Sequence, residues 1–424
     1  MLFFSAALAF VEGGTIAVLL KQTFAGQIDA RWHNLAVALA VGAGEIANLV
    51  SFGWIALSHG RPKARFINAL QVALVVFVAA VGLMPRSPAG LWGTLALVML
   101  ARVCGSGIVT LRSNVWRANY PARVRARVVG RLSVITQVVL ALLGLAIGTA
   151  MDHDLTSYRW LAPLLAACAV AGIVRYGSIR VRGEDGHLAA ERAGPRAAGI
   201  MRPWGGVAST VKVLRQDRRF AQFMLFMFLL GFGNLMTPTV LVIAMASRFD
   251  LGENAYKTSV LVTTTLPYLL MPAIIPVWAS LLDRAHVVRF RAVHGWVFVG
   301  AAVCFMAGLA TRSMPWMYAG SAFWGIAMAG GSLAWNLGHV DFAPPTQTSH
   351  YMATHVTLNG VRGLLAPLAS SNLYSMLCDR AGAPKYGVEP GAVVLAVSLA
   401  LTVAGCLGFV WLNRSMGRTV RMVR

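Results

Sequence analysis

The sequence predicts an all-α membrane protein whose twelve transmembrane helices form two six-helix bundles. Charged residues make up only 12% of the 424-residue chain, and hydrophobic residues make up 57%. Soluble domains carry roughly 25% charged residues, so this chain has too little polar surface to remain in water. Its apolar residues fall in blocks of about 20, the length that a helix needs to cross the hydrocarbon core. In lipid each backbone amide must be bonded within its own segment, so the blocks should be helices.

The apolar blocks define the twelve spans in chain order. They cover approximately residues 3–25, 34–57, 66–84, 90–111, 131–151, 160–177, 220–246, 257–282, 293–311, 316–338, 353–376 and 391–412. The first block lacks a basic leading segment and a small-residue cleavage site, and it contains Glu12. We therefore expect it to be a mature helix and not a signal peptide.

The longest hydrophilic stretch, residues 179–218, separates six spans from six. We therefore divide the chain into an N-terminal bundle (1–178), a linker (179–218) and a C-terminal bundle (219–424). The first part of the linker is rich in Gly, Ala and charged residues, and the second part is basic and partly apolar. An amphipathic helix on the membrane surface would suit the second part. The composition of the whole favours a simple tether.

The basic residues predict the orientation in the membrane. Of the 37 Lys and Arg residues, 26 fall in the loops and termini of one side, 8 fall on the other side and 3 lie inside spans. Such a bias places both termini in the cytoplasm. It also accounts for the net charge of +22, because the charge is spread over short loops without one contiguous basic face. We therefore expect contact with the anionic headgroups of the lipid bilayer and no nucleic-acid partner.

Enzyme, metal and cofactor motifs are absent from the sequence. The five cysteines form no CxxC pair, and no GxGxxG or Walker motif lies in a loop. An integral-membrane enzyme such as an acyltransferase would need a carboxylate–His cluster. His350 and His355 flank the start of a span, but their only nearby acid is Asp341. We therefore expect no catalytic activity, no metal and no cofactor.

An internal repeat relates the two halves. Gly107 and Pro121 recur at an offset of 223 as Gly330 and Pro344, each pair carrying a span into a turn. Residues 53–65 after span two correspond to residues 279–291 after span eight. Such repeats are typical of transporters built from two similar bundles.

The chain resembles the major facilitator superfamily in its six plus six spans, its long central loop and the loop motif after spans two and eight. That motif is usually written G-x-x-x-D-R-x-G-R-R. In the second half Asp283 and Arg284 match its Asp-Arg pair, but in the first half Leu57 stands where the Asp belongs. The predicted gating-loop residues are Gly53, Gly60, Arg61, Asp283, Arg284 and Arg289.

The resemblance implies two bundles related by a pseudo-two-fold axis, with spans 1, 4, 7 and 10 lining a central cavity. Spans 2, 5, 8 and 11 would form the moving interface, and spans 3, 6, 9 and 12 would face lipid. Arg102 lies in a segment similar to the family's Arg-containing motif of span four. The glycine–proline motif of drug antiporters is missing from span five. The pair Gly144 and Gly148 there predicts a close helix contact instead.

Four charged residues inside the spans are the main candidates for function: Glu12, Glu45, Arg102 and Arg362. Each would cost at least about 2.5–3.5 kcal/mol if it faced lipid, so each should face a partner, a wet cavity or a substrate. Glu12 and Arg102 form either a coupling pair or a static bridge between helices. Glu45 is either a proton carrier or a hydrogen-bonded structural acid. Arg362 binds either a substrate carboxylate or phosphate, or the end of a helix.

Other polar and aromatic residues are placed to shape a pocket, although aromatic residues in spans more often serve packing. The candidates are Asn234, Tyr268, Trp335, Asn336 and Asn359.

The sequence as a whole predicts a secondary active transporter of a small organic solute, coupled to protons and acting as a monomer. The excess of Arg over Lys and the high Ala content suggest the inner membrane of a bacterium. The alternative is a transporter-like sensor or scaffold, because the loop motif of the first half is degraded.

Overall fold

The computed structural model describes residues 2–422 apart from 51–52, 55–56, 194–204, 340, 344–347 and 380–381. Helices make up most of this part, and a helix or helix pair occupies the position of every predicted span. The N-terminal helices are α1 (Phe4–Phe10), α2 (Gly13–Thr23), α3 (Ala30–Asn48), α4 (Lys63–Val81), α5 (Pro88–Asn119), α6 (Ala122–His153) and α7 (Tyr158–Gly177). The linker contains α8 (Glu184–Ala193) and α9 (Gly205–Gln216). The C-terminal helices are α10 (Arg218–Arg248), α11 (Ala255–Val260), α12 (Leu266–Asp283), α13 (Val287–Thr311), α14 (Met314–Leu337), α15 (Thr348–Met376) and α16 (Pro390–Met422).

The number of spans agrees with the prediction from the sequence. Eight described helices are long and apolar enough to cross a membrane, and α1 with α2 makes a ninth span. Helices α3, α14 and α15, of 19, 24 and 29 residues, occupy the positions of predicted spans 2, 10 and 11. The predicted all-α class with twelve helices in two bundles is confirmed.

The first span is broken where the sequence predicted one continuous helix. Helices α1 and α2 meet at an angle of 45°. Glu12 has an extended backbone at the break, and its carboxylate accepts a hydrogen bond from the Gly14 N–H at 2.8 Å. A carboxylate is favoured at this position because the first amides of a helix are otherwise unpaired and carry partial positive charge. The break therefore places an acid inside the membrane at the start of a new helix.

Three boundaries differ from those predicted. Helix α3 ends at Asn48, and the rest of predicted span 2 lies partly outside the described residues. Helices α5 and α6 extend toward each other, so the basic segment between them is largely helical. Arg291 lies before predicted span nine (293–311), but α13 already begins at Val287 and only 3% of Arg291 is exposed, so the predicted start is wrong. The dense run of basic residues resembled a loop although one of them points into the bundle.

Two seams join the bundles. In the first seam α3 packs against α15, and in the second α6 packs against α11 and α12. Glycines permit both close approaches. A Cβ at Gly42 would lie 2.7 Å from the Gly363 carbonyl oxygen, and a Cβ at Gly148 would lie 2.9 Å from the Lys257 Cα. Gly144, the other glycine of the predicted pair, also faces α11.

We call the side of the molecule that bears the α3–α4 and α5–α6 connections and the linker the terminal side, and the other the distal side. On the terminal side, α9 packs against α15 and α10. Helix α8 contacts the α3–α4 connection through Glu191 and Arg192. In the described residues, the linker thus contains two helices that are held against the bundles.

Candidate functional site

A cavity of about 450 Å³ lies within the N-terminal bundle and reaches toward the C-terminal bundle at its inner end. Its mouth on the terminal side is formed by Asn119, Tyr120 and Tyr176. The walls between mouth and floor are largely apolar. The polar floor consists of Glu12, Asn48, Arg102 and Tyr268. The cavity therefore leads from the terminal side to charged side chains in the interior of the molecule.

Glu12 joins the two bundles at this floor. Its second carboxylate oxygen accepts a hydrogen bond from the Tyr268 hydroxyl of α12 at 2.6 Å. The first oxygen is occupied by the Gly14 N–H. Charge-assisted bonds of this length are about twice as strong as neutral ones. The Glu12 carboxyl is therefore held by a donor from each bundle.

Arg102 also lines the floor but does not pair with Glu12. Within the described residues, no ion pair within 4.0 Å joins them, and the Arg102 guanidinium packs against Gly44 of α3. Any side chain at Gly44 would overlap the guanidinium. The structure therefore brings both residues to one cavity without forming the predicted pair.

Glu45 and Arg362 are linked through an amide across the first seam. The Asn359 side-chain NH₂ donates to the Glu45 carboxylate. The Asn359 amide oxygen accepts from Arg362 Nε at 3.0 Å, and Arg362 Nη1 donates to the Met227 carbonyl at 2.7 Å. Asn48 donates to Glu45 at 3.1 Å. Glu45, expected to be either a proton carrier or a hydrogen-bonded structural acid, thus takes part in a bridged acid–amide–guanidinium chain.

The distal side of the cavity is closed by contacts between the bundles. The Thr23 and Tyr256 hydroxyls lie 2.7 Å apart, and the Gln22 amide donates to the Ala255 carbonyl. The Asp152 carboxylate accepts the N–H groups of Tyr256 at 2.7 Å and Lys257 at 2.8 Å. These bonds cap the start of α11 from the opposite bundle.

The remaining pocket candidates lie apart from this floor. Asn234 is buried in α10. Trp335 packs its ring 5.8 Å from that of His355. Asn336 is exposed, and its amide donates to the Ser332 carbonyl of its own helix.

The gating-loop residues differ between the halves. Asp283, Arg284 and Arg289 are exposed, and in the described part of the chain neither Asp283 nor Arg284 forms an ion pair. Gly53 is exposed, and the Arg61 guanidinium lies 5.9 Å from the Phe66 ring.

The backbone N–H of Gly60 forms a hydrogen bond with a carboxylate of the linker. With φ of +67°, a conformation that favours glycine, its N–H donates to Glu191 of α8 at 3.0 Å. Glu191 also pairs with Lys63 at 2.8 Å. Burial opposes ionisation of Glu191, but hydrogen bonds from Lys63 and Gly60 outweigh it and hold the pKa of this carboxyl below 4.5. A carboxylate from α8 thus reaches the loop in which Leu57 replaces the motif's Asp.

Sequence reasoning missed several residues at these sites. Asp152 ends a span beside other polar residues, and Glu191 lies in a stretch that we interpreted as a tether. Arg291 was assigned to a loop, and His294 carried no signal beyond its apolar surroundings. In the described residues, no group of three or more His, Cys, Asp or Glu side chains is arranged to hold a metal ion.

Comparisons with known proteins agree on the fold. The family model described as Major Facilitator Superfamily matches residues 2–367. A mutant of the nucleoside transporter NupG superposes with a TM-score of 0.70 at 12% identity, covering 97% of this chain and 98% of that one. The peptide transporter POT in complex with sulfate gives 0.69 at 13% identity, covering 98% and 94%. The xylose transporter XylE from E. coli gives 0.59 at 12% identity, covering 97% and 99%. A comparison with curated proteins finds no match.

Proposed function

The chain belongs to the major facilitator superfamily, and we propose that it moves a small organic solute across the membrane by alternating access, driven by protons. Membership of this family makes the chain an integral membrane protein, and the transporter folds that it resembles support a role in membrane transport. The proposal of proton coupling rests on the hydrogen bond between the Glu12 carboxyl and the Tyr268 hydroxyl. A titratable acid at the cavity floor is there tied to the opposite bundle.

Protonation of Glu12 would weaken this tie. An ionised carboxylate accepts the Tyr268 hydrogen bond with charge assistance, and a neutral acid loses that assistance. Hydrogen bonds to charged groups contribute about 1.5–3 kcal/mol, which is enough to shift the balance between two conformations substantially. Proton binding at the floor and separation of the bundles are therefore linked in this proposal.

Arg102 supplies a positive charge beside the same acid. It lines the floor and has no carboxylate partner within 4.0 Å among the described residues. An incoming solute with a polar or negative group would find a donor there. The chain from Glu45 through Asn359 to Arg362 forms a second link between the bundles, which must change when the first seam moves.

The orientation is part of the proposal. We assign the terminal side to the cytoplasm of a bacterium, on the bias of Lys and Arg toward its loops. The closed distal side and the cavity mouth on the terminal side then correspond to an inward-open state. The transporter acts as a monomer in this proposal.

Flux measurements on the purified protein in liposomes test this function. An imposed pH gradient is combined with a panel of neutral, anionic and cationic solutes. We expect gradient-driven movement of at least one solute, which stops in Glu12→Gln and continues in Glu253→Gln, a change at an exposed distal acid. If no solute of the panel moves and Glu12→Gln behaves like the wild type, the chain is a sensor or scaffold and the proposal is wrong.

A further inference from the structure

A cluster of basic side chains is buried inside the C-terminal bundle, away from the cavity floor. It consists of Arg291 and His294 of α13 and His355 and Arg362 of α15. Their exposed fractions are 3%, 0%, 1% and 8%. We call these four residues the basic cluster.

The hydrogen bonds of the basic cluster leave donors unused. His294 Nε2 lies 2.7 Å from the Ala327 carbonyl, which only accepts, so Nε2 carries the proton. His294 Nδ1 then accepts from Arg291 Nη1 at 3.4 Å. Among the described residues, Arg291 Nε and both ring nitrogens of His355 have no hydrogen-bond partner. Buried polar groups without a partner are rare and costly, so these atoms call for an explanation.

The charges of the basic cluster are also incompletely balanced. Arg291, His355 and Arg362 lie within electrostatic reach of one another. Arg362 is joined to one carboxylate by hydrogen bonds in the described part of the chain, that of Glu45, through the side chain of Asn359. Arg291 has no carboxylate partner within 4.0 Å among these residues. One buried guanidinium group is therefore linked to an acid and the other is not, although buried charges are normally paired.

We infer that the basic cluster binds an oxyanion, the carboxylate or phosphate group of the transported solute. This inference rests on the proposed function, whose substrate class it names. The planar guanidinium of Arg291 and the unpaired imidazole of His355 offer donors suited to a carboxylate or phosphate. A bound oxyanion would give these atoms partners and supply the missing negative charge.

Glu45 stands between the cavity and the basic cluster. Its neighbours Gly44 and Asn48 line the cavity, and its own carboxylate is bonded to Asn359 across the first seam. An oxyanion that reaches Arg362 competes with Glu45 for the same positive charge. Removal of the Glu45 charge should therefore strengthen anion binding, whereas removal of a cluster charge should weaken it.

Binding to the purified full-length protein in detergent tests the site. Thermal unfolding is followed with potassium phosphate, succinate or the neutral succinamide, at an ionic strength kept constant with KCl. We expect phosphate, succinate or both to stabilise the protein and succinamide not to do so. The tighter of the two anions indicates whether the site favours a phosphate or a carboxylate.

Variants with opposite expected effects sharpen the test. Arg291→Gln should weaken anion binding by at least about thirtyfold, as removal of one partner from a buried charge pair does. Glu45→Gln should tighten it by about tenfold, whereas Arg414→Gln, an exposed change on α16, should leave it unchanged. His355→Phe, which keeps a ring but removes both nitrogens, replaces Arg291→Gln if that variant does not fold.

The inference is overturned if neither oxyanion binds better than succinamide, or if Arg291→Gln and His355→Phe bind as the wild type does. Weaker binding by Glu45→Gln would also contradict it. The proposed function can fail separately. If the anions bind but no proton-driven flux is observed, the oxyanion site is supported and the transport proposal is wrong. If only neutral solutes are transported, and at the same rate in Arg291→Gln, the transport proposal stands and the oxyanion site is wrong.

Discussion

Asp152 at the distal end of α6 is expected to hold the transporter closed on that side. Its carboxylate accepts the Tyr256 and Lys257 N–H groups at 2.7 and 2.8 Å, where α11 of the opposite bundle begins. Gly148, one turn earlier, lets the two helices approach closely. Because these bonds join the bundles, they exist only while the distal side is closed. Asp152→Ala should therefore shift the protein toward the state that is open on the distal side.

The size of the shift follows from the two bonds. Hydrogen bonds to a charged group contribute about 1.5–3 kcal/mol each, and a carboxylate at a helix start adds about 0.3–1 kcal/mol. Asp152 is half-buried, so in the variant water forms hydrogen bonds that replace part of the lost stabilisation. We take about 2 kcal/mol as the net change, equivalent to about a thirtyfold shift in the ratio of the two states.

Distances between spin labels can measure this shift. Labels at Gln27 and Asp250, exposed residues on the distal ends of the two bundles, report whether that side is open. The matched control is Asp154→Ala, which removes the same charge two residues later. Asp154 is exposed, and its carboxylate accepts hydrogen bonds from the N–H and hydroxyl of Thr156, two residues later. We expect a longer distance to gain population in Asp152→Ala and not in Asp154→Ala.

Equal distance distributions in the wild type and Asp152→Ala would refute this reasoning. So would an equal change in both variants, because general charge and not the cross-bundle cap would then set the balance.

Three further predictions concern the seam, the linker and the cavity floor. Gly363→Ala places a Cβ against Glu45 and should lower the free energy of unfolding by about 1–3 kcal/mol. The control Gly130→Ala has open space around its Cβ and should be neutral or stabilising. Denaturant unfolding of both variants measures the difference. The pKa of Glu191 is held below 4.5, so the docking of α8 should persist above that pH and be lost as the pH falls below it. A spin label on α8 of the wild type should therefore become mobile in acid. In Glu191→Gln the same label should already be mobile at neutral pH. A label that stays equally immobile in both proteins and at both pH values would contradict this. Tyr268→Phe removes the donor to Glu12 and should lower proton-driven accumulation about tenfold while counterflow of solute persists; unchanged accumulation would exclude a coupling role for this bond.

Much of the fold was predictable because the membrane imposes a simple rule on sequence. Each apolar block of about 20 residues became a helix or a helix pair. The break at Glu12 was not predictable, because an apolar block does not indicate where an internal carboxylate will cap a new helix. The end of α3 at Asn48 was missed because apolar residues continue beyond it.

The candidate site was predictable residue by residue but not as pairs. Glu12 and Arg362 were found from the cost of a charge in lipid. Their hydrogen-bond partners could not be predicted. Tyr268, for example, lies 256 residues from Glu12, and only the packing of the bundles brings the two together. Arg291 was hidden among basic residues of a turn, since one sequence does not tell a buried arginine from an exposed neighbour.

Accumulation of a transported solute in Glu12→Gln tests the central claim most directly. Liposomes containing wild-type or variant protein are given the same pH gradient, and solute uptake against its own gradient is compared with solute counterflow. We predict that the wild type accumulates solute, and that Glu12→Gln retains counterflow but no longer accumulates it. Accumulation by Glu12→Gln at the wild-type level would contradict coupling through Glu12 and the bond that joins it to Tyr268.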